Sequence, residues 1–294
     1  MVLNARKTAI MWIRDGVLIE RMHINAVCFA YAAALSSFPT AQHNSYVWQL
    51  IDYAFEKSGV SCAEKIALYN SLYENPVSNP ESTVHIFNVI ATESAKKACY
   101  FDNAIELLAD LKSSGTTNFI TSALEQKLLD SWLATSQGQE IANSLSAVLG
   151  KRGDFTKGRP HFQHVSQLGY DKIYYVADAV YEISTGAKLS HEFNIVPIGF
   201  GNEIASETIF AAVQIVSAAV LRCKNELSLS DHGESMIPAL TTNLESLKSK
   251  LVDPKTDPNL LAKAGAEVVI KGEKGSLMRH LRQYFESQNL LLVH

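Results

Sequence analysis

Four short stretches carry side chains of the kind from which a phosphate site is built. Asp15 stands in "RDGVL", where a chain leaving an apolar strand reverses at Gly16. Thr121 and Ser122 follow a β-branched run in "FITSA", Lys157 lies in "FTKGRP", and Asp178 and Glu182 come directly after the apolar residues of "YYVADAVYE". A phosphate monoester brings about two negative charges, so its site needs a cation, a positive side chain and hydroxyl or backbone donors at fixed positions. Asp178, Lys157 and Thr121 supply these from three separate strand ends or loops. Magnesium takes hard oxygen ligands and commonly uses one or two carboxylates with water and substrate, a need that Asp178 and Glu182 can meet.

Those residues must be held by a scaffold, and the apolar patterning indicates which. "TAIMWI" predicts a buried strand before the Asp15-Gly16 turn. "INAVCFAYAAAL" and "SYVWQLIDYAFEKSG" then repeat apolar residues at helical spacing, so that residues 20–99 read as a helical block without strands. From residue 100 the texture changes to helix followed by strand. "FDNAIELLADLKSSGTTNFITSA", "HFQHVSQLGYDKIYYVADA", "GAKLSHEFNIVPIGFG" and "NLLAKAGAEVVIKG" each contain one such unit. Helices alternating with short apolar strands predict an α/β, Rossmann-like parallel sheet covered on both faces. Loops at the carboxyl ends of such strands line a common crevice, which is where Asp15, Thr121 and Asp178 would converge. Residues 204–256 exceed what the alternation needs. "SETIFAAVQIVSAAVLRCKNEL" predicts one helix there, "SMIPALTTNLESLKSKL" a second, and together they read as a helical insertion at the rim of the core.

In order and spacing, around a helical block placed directly after the first strand, the four pieces resemble the haloacid dehalogenase superfamily, in particular its β-phosphoglucomutase and phosphoglycolate phosphatase-like members with a helical cap. The resemblance implies a core of residues 1–19, 100–203 and 257–294, with residues 20–99 as the cap. Matching the family's D-x-D-G-[TV]-L to "DGVL" puts the general acid and base at Asp15 and leaves Ile13 at the place of the nucleophilic Asp. The phosphoryl-binding hydroxyl falls on Thr121, beside Ser122, and the neutralising Lys falls on Lys157, with Lys151 an alternative. Asp178 and Glu182, with Asp15, fall on the magnesium ligands, a site weakened by the loss of one carboxylate. Moving the register by two, to make Asp15 the nucleophile, would leave Val17 where the second acid belongs.

An alkyl side chain cannot attack phosphorus, so the aspartyl-phosphate route is closed at Ile13. Two functions follow as expectations. One is a hydrolase of this class acting on a small phosphorylated or otherwise anionic metabolite by another route. The other is a non-catalytic binding or regulatory relative, with residues 204–256 as a surface for a protein partner or second copy. A lyase or transferase using Asp15 alone for proton transfer is a weaker third. His23 and Cys28 are candidates for a replacement nucleophile, with Cys28 read chiefly as packing, and His161 and His164 are expected on the surface of a helix.

The remaining features exclude rather than assign. A net charge of -4 with no long basic run argues against nucleic acid and an anionic membrane surface as partners. Cys28, Cys62, Cys99 and Cys223 lie far apart, without the close Cys and His pairs of a structural zinc site, and are expected as reduced thiols. Arg14, Asp15 and Glu20 interrupt the first apolar stretch before it can span a bilayer, so the cytoplasm is the expected compartment.

Overall fold

The computed structural model describes residues 7–37, 43–202, 206–227, 258–272 and 274–291. In chain order its elements are β1 (Thr8–Ile13), α1 (Met22–Ser37), α2 (His43–Glu56), α3 (Cys62–Leu72), α4 (Pro80–Ala95), α5 (Ala104–Ser113), β2 (Thr117–Glu125), α6 (Gln126–Leu133), α7 (Ser136–Ala142), β3 (Ala147–Lys151), α8 (Arg159–Gln167), β4 (Lys172–Ala177), α9 (Val180–Phe193), β5 (Ile195–Asn202), α10 (Ser206–Arg222), α11 (Pro258–Lys263), β6 (Val268–Gly272) and α12 (Leu277–Ser287). They fall into two compact units. The first comprises Met1–Glu20, Tyr100–Glu203 and Thr256–His294, and the second Arg21–Cys99 and Ile204–Lys255.

The first unit is an α/β layer built on one six-stranded sheet in the order β3-β2-β1-β4-β5-β6, parallel throughout. This is the Rossmann-like parallel sheet that the alternation predicts. A central strand of such a sheet is covered on both faces, so it must be apolar on both. Accordingly Ala9, Ile10, Met11 and Trp12 are all fully buried in β1. The chain builds outwards from β1 first through β2 and β3, then returns to its other side for β4, β5 and β6. The carboxyl end of β1 is therefore the switch point at which such sheets place a crevice.

Five of the six strands coincide with apolar runs legible in the sequence. The exception is β3, five residues of "AVLGK" preceded by two helices of only eight and seven residues. Without a long amphipathic helix before it, so short a run gives no period to read.

Polar groups also fix β1 and β2 together inside the apolar layer. Trp12 Nε1 donates to Asn118 Oδ1 at 3.0 Å, while Asn118 Nδ2 donates to the carbonyls of Leu108 and Ser144 at 3.0 and 3.1 Å. One buried amide thus joins β1, β2, α5 and the turn before β3. The Trp12 ring packs edge-on against Phe285 of α12, with centroids 5.9 Å apart.

The second unit is helical. α1 is buried at Met22–Ile24 and through Ala26–Ala34, which makes it apolar nearly all round, the property of a central helix. It packs against α2, α4 and α10. Tyr31 Oη of α1 and Ser217 Oγ of α10 are 2.9 Å apart, and Arg21, just before α1, donates from Nη2 to the Ala91 carbonyl of α4 at 2.6 Å. Of the predicted insertion, α10 packs its Ile209, Ala212, Val213, Val216 and Val220 within this helical unit. The second helix expected in "SMIPALTTNLESLKSKL" lies outside the described residues. Among the described residues no helix is long and apolar enough to cross a membrane.

Replacing Asn118 by Ala would leave the Trp12 N–H unpaired in the core and remove the two bonds to the Leu108 and Ser144 carbonyls. The expected cost is about 2 to 4 kcal/mol, seen as a lower urea midpoint with an unchanged slope.

Candidate functional site

The strand register assembles the site. Ile13 pairs with Thr121 on β2 and Trp12 with Val176 on β4, so the end of β1 lies between the two strands that carry the other motifs. Asp15 follows β1 by two residues, and Asp178 is the first residue after β4. Between them the chain turns tightly: Gly16 N donates to the Ile19 carbonyl at 2.8 Å, and Leu18 and Ile19 both donate to the Arg14 carbonyl. Gly16 has φ +96°, a left-handed conformation that glycine adopts without strain. A Cβ there would collide with the Asp178 carboxylate, standing 2.6 Å from its Cγ. Glycine is required at this position for both reasons, and the two loops are in van der Waals contact because of it.

The charged side chains at this place pair with one another. Arg14 Nε and Nη2 donate to the two carboxylate oxygens of Asp15 at 2.7 and 3.1 Å. The guanidinium also lies over the Trp132 ring, 4.9 Å from its centroid, and its side chain is only 3% exposed. Lys157, carried by the loop between β3 and α8, forms an ion pair with Glu182 Oε1 on the first turn of α9. Asp178 and Glu182 are both buried, and Asp178 Oδ2 and Glu182 Oε2 have no hydrogen-bond partner among the described residues. Burial, and then the neighbouring Glu182 charge, hold the Asp178 carboxyl well above the usual carboxylate range, against the opposing pull of Lys157. Asp15, Lys157, Asp178 and Glu182 are thus brought into one electrostatic group. Lys151 is placed elsewhere, 3.4 Å from Glu125 and half exposed.

Thr121 is buried, and its Oγ1 lies 2.7 Å from His161 Nδ1. His161 was expected on a helix surface, and the structure corrects this: it is fully buried and its ring packs on Phe155 at 4.6 Å. Helical spacing explains the reversal. His161 shares the inward face of α8 with Phe162 and Val165, whereas His164 is half-buried. Desolvation lowers the His161 pKa to about 4, the Gly150 backbone opposing it, so the imidazole is neutral at physiological pH. Ser122 makes only a local bond, its Oγ accepting from Leu124 N at 3.2 Å. It lies inside β2, which runs to Glu125 across an irregularity in its register with β3. Cys28 belongs to the helical unit, where burial pushes its thiol up to about 12, the wrong direction for a nucleophile.

Whether these residues suit magnesium can be tested on the donor set. The two partnerless oxygens of Asp178 and Glu182 would accept a cation. Against it, Ile13 offers no oxygen, both Asp15 oxygens are held by Arg14, and Glu182 is paired with Lys157. Among the described residues no group of three or more His, Cys, Asp and Glu side chains is placed to hold a metal ion. The set does not fit a tightly held divalent cation.

Neither a protein-family model nor a curated protein sequence matches the chain. Solved structures do. One is a haloacid dehalogenase family hydrolase from Deinococcus radiodurans with bound phosphate and sodium, 16% identical, with a TM-score of 0.54, covering 99% of this chain and 100% of its own. A predicted phosphatase from Clostridium acetobutylicum is 11% identical, with a TM-score of 0.55 over 96% of this chain and 100% of its own. A hydrolase from Pseudomonas syringae is 14% identical, with a TM-score of 0.52 over 95% and 99%. The likeness spans nearly the whole chain and shows a haloacid dehalogenase-like fold.

Two pH dependences follow from the buried groups. His161 has a folded pKa below its unfolded value, so the stability it contributes is present above about pH 6.5 and lost as pH falls toward about 4, on the order of 3 kcal/mol. His161→Gln should flatten that slope in urea titrations across the range. Asp178 has the opposite sign: its folded pKa is raised, so stability falls as pH rises above the unfolded value. Asp178→Asn should therefore raise Tm, and by more near neutral pH than in acid; an equal or falling Tm would show a donor facing Oδ2.

Proposed function

We propose that this chain is a haloacid dehalogenase-like protein whose crevice does not form an aspartyl-phosphate, and that it serves as a binding or regulatory member of that superfamily. The observation that carries this reading is Ile13. It is 5% exposed at the end of β1, at the position matched to the nucleophile, and no alkyl group can take that role. Removing the nucleophile from a cooperating set costs about 10³ to 10⁶ in turnover.

The other functional types are present but already engaged. Asp15, the matched acid and base, has both oxygens held by Arg14, which also weakens it as a substitute nucleophile. Lys157 faces Glu182 rather than an open position, and the Thr121 hydroxyl faces His161. A small anionic or phosphorylated ligand would have to compete for these partners. Without a nucleophile, such a ligand is held and not hydrolysed.

One observation favours the alternative, a hydrolase using a different route. A hydroxyl within hydrogen-bond reach of a neutral imidazole is the arrangement of an activated nucleophile, and Thr121 with His161 has it. Burial decides between the two, since Thr121 is only 1% exposed and His161 is fully enclosed. The pair is better suited to fixing the end of β2 than to meeting a substrate.

The test is a phosphatase assay with p-nitrophenyl phosphate and with small phosphate esters, on native protein and on Ile13→Asp. Native protein is expected at background, and any turnover only where a carboxylate is restored at position 13, most of all in Ile13→Asp with Arg14→Gln, which also frees Asp15. Native turnover that Asp15→Asn or Thr121→Val abolishes would overturn the reading.

A further inference from the structure

The end of β1 carries an arginine that a metal-dependent phosphoryl site does not need. Arg14 lies between the position lacking its carboxylate, Ile13, and the acid that remains, Asp15. It is 2% exposed, it makes a bidentate contact with both Asp15 oxygens, and its guanidinium is stacked on Trp132 of α6. Three independent contacts therefore fix its position. A guanidinium held in this way is a permanent positive charge whose planar fork matches a carboxylate.

We infer that Arg14 is a built-in counter-ion for Asp15 which, together with Lys157 at Glu182, lets the first unit hold its Asp15 and Glu182 carboxylates without magnesium. The charge tally supports this. Three carboxylates stand at the ends of β1 and β4 and on α9, and Arg14 and Lys157 each satisfy one of them. Removing the carboxylate at position 13 and adding a cation at position 14 both lower the attraction for a divalent ion. A magnesium ion would have to displace a guanidinium from both oxygens of Asp15 while approaching a second fixed cation at Glu182. Repulsion between cations in a poorly solvated place makes that exchange unfavourable. The inference concerns metal binding and stands whether or not the crevice turns over a substrate.

The experiment uses the full chain and reads metal binding rather than activity. Native protein, Arg14→Gln and the double variant Ile13→Asp with Arg14→Gln are titrated calorimetrically with magnesium and with manganese chloride, and melted with and without chelator. For native protein, millimolar magnesium is expected to move Tm by less than about 1 °C and chelator to leave it unchanged. Arg14→Gln is expected to melt lower without metal and to recover partly with it. The double variant, with a carboxylate back at position 13, is expected to gain about 3 °C or more in millimolar magnesium. Arg14→Lys, which keeps the charge but not the fork, should remain unresponsive to metal, and it serves as the readout if Arg14→Gln does not fold. Saturable magnesium binding by native protein, or an Arg14→Gln variant and a double variant both indifferent to metal, would overturn the inference.

Discussion

A charge taken out of water has to be neutralised where it stands, and that constraint organises the end of β1. Arg14, Asp178 and Glu182 are buried to within a few per cent, and Asp15 and Lys157 are largely covered. Left alone, each would cost several kcal/mol to desolvate, and breaking such a pair by deleting one partner typically costs about 3 to 5 kcal/mol. The structure meets the constraint with two ion pairs and by holding Asp178 toward its neutral form. In related chemistry a metal and an anionic ligand discharge part of that obligation. Here Arg14 and Lys157 each neutralise one carboxylate, Asp15 and Glu182.

The parallel sheet makes that arrangement attainable. Because β1 is flanked by β2 and β4, loops separated by more than a hundred residues in sequence meet within one turn of each other. Gly16 sets how close they come, since a side chain there would push the Asp178 carboxylate away. The buried Asn118 amide, at the amino end of β2, ties that strand to Trp12 of β1.

How far the sequence revealed this depends on which force decides each feature. β1, β2, β4, β5 and β6 are apolar runs with helices between them, and burial on both faces makes such runs conspicuous. β3 was invisible because five residues after two short helices carry no period. Asp15, Asp178 and Glu182 were legible from their places after strands and Lys157 from the family resemblance, and the structure groups them. Their pairing was not legible, because whether Lys157 faces a ligand or Glu182 is settled by three-dimensional distance. Arg14 was legible only as a charge interrupting the first apolar stretch, since no spacing rule reports that a side chain folds onto its neighbour and onto Trp132 of a distant helix. His161 was misplaced for a related reason: a lone histidine on a helix gives no hint of facing inwards until Phe162 and Val165 are seen beside it.

The Arg14 and Asp15 clamp also shapes which sequences are reachable from this one. Changing Arg14 alone strands a carboxylate, and adding an acid at position 13 alone crowds a third negative charge beside Asp15 and Asp178. Each single step is unfavourable, while the two together compensate, which is the condition for strong non-additivity between neighbouring sites. The order of substitutions then matters as much as their identity. A lineage could cross between this side-chain set and a two-carboxylate one only by way of a poorly stable intermediate or a simultaneous change, so the clamp acts as a mutational barrier built from two adjacent residues.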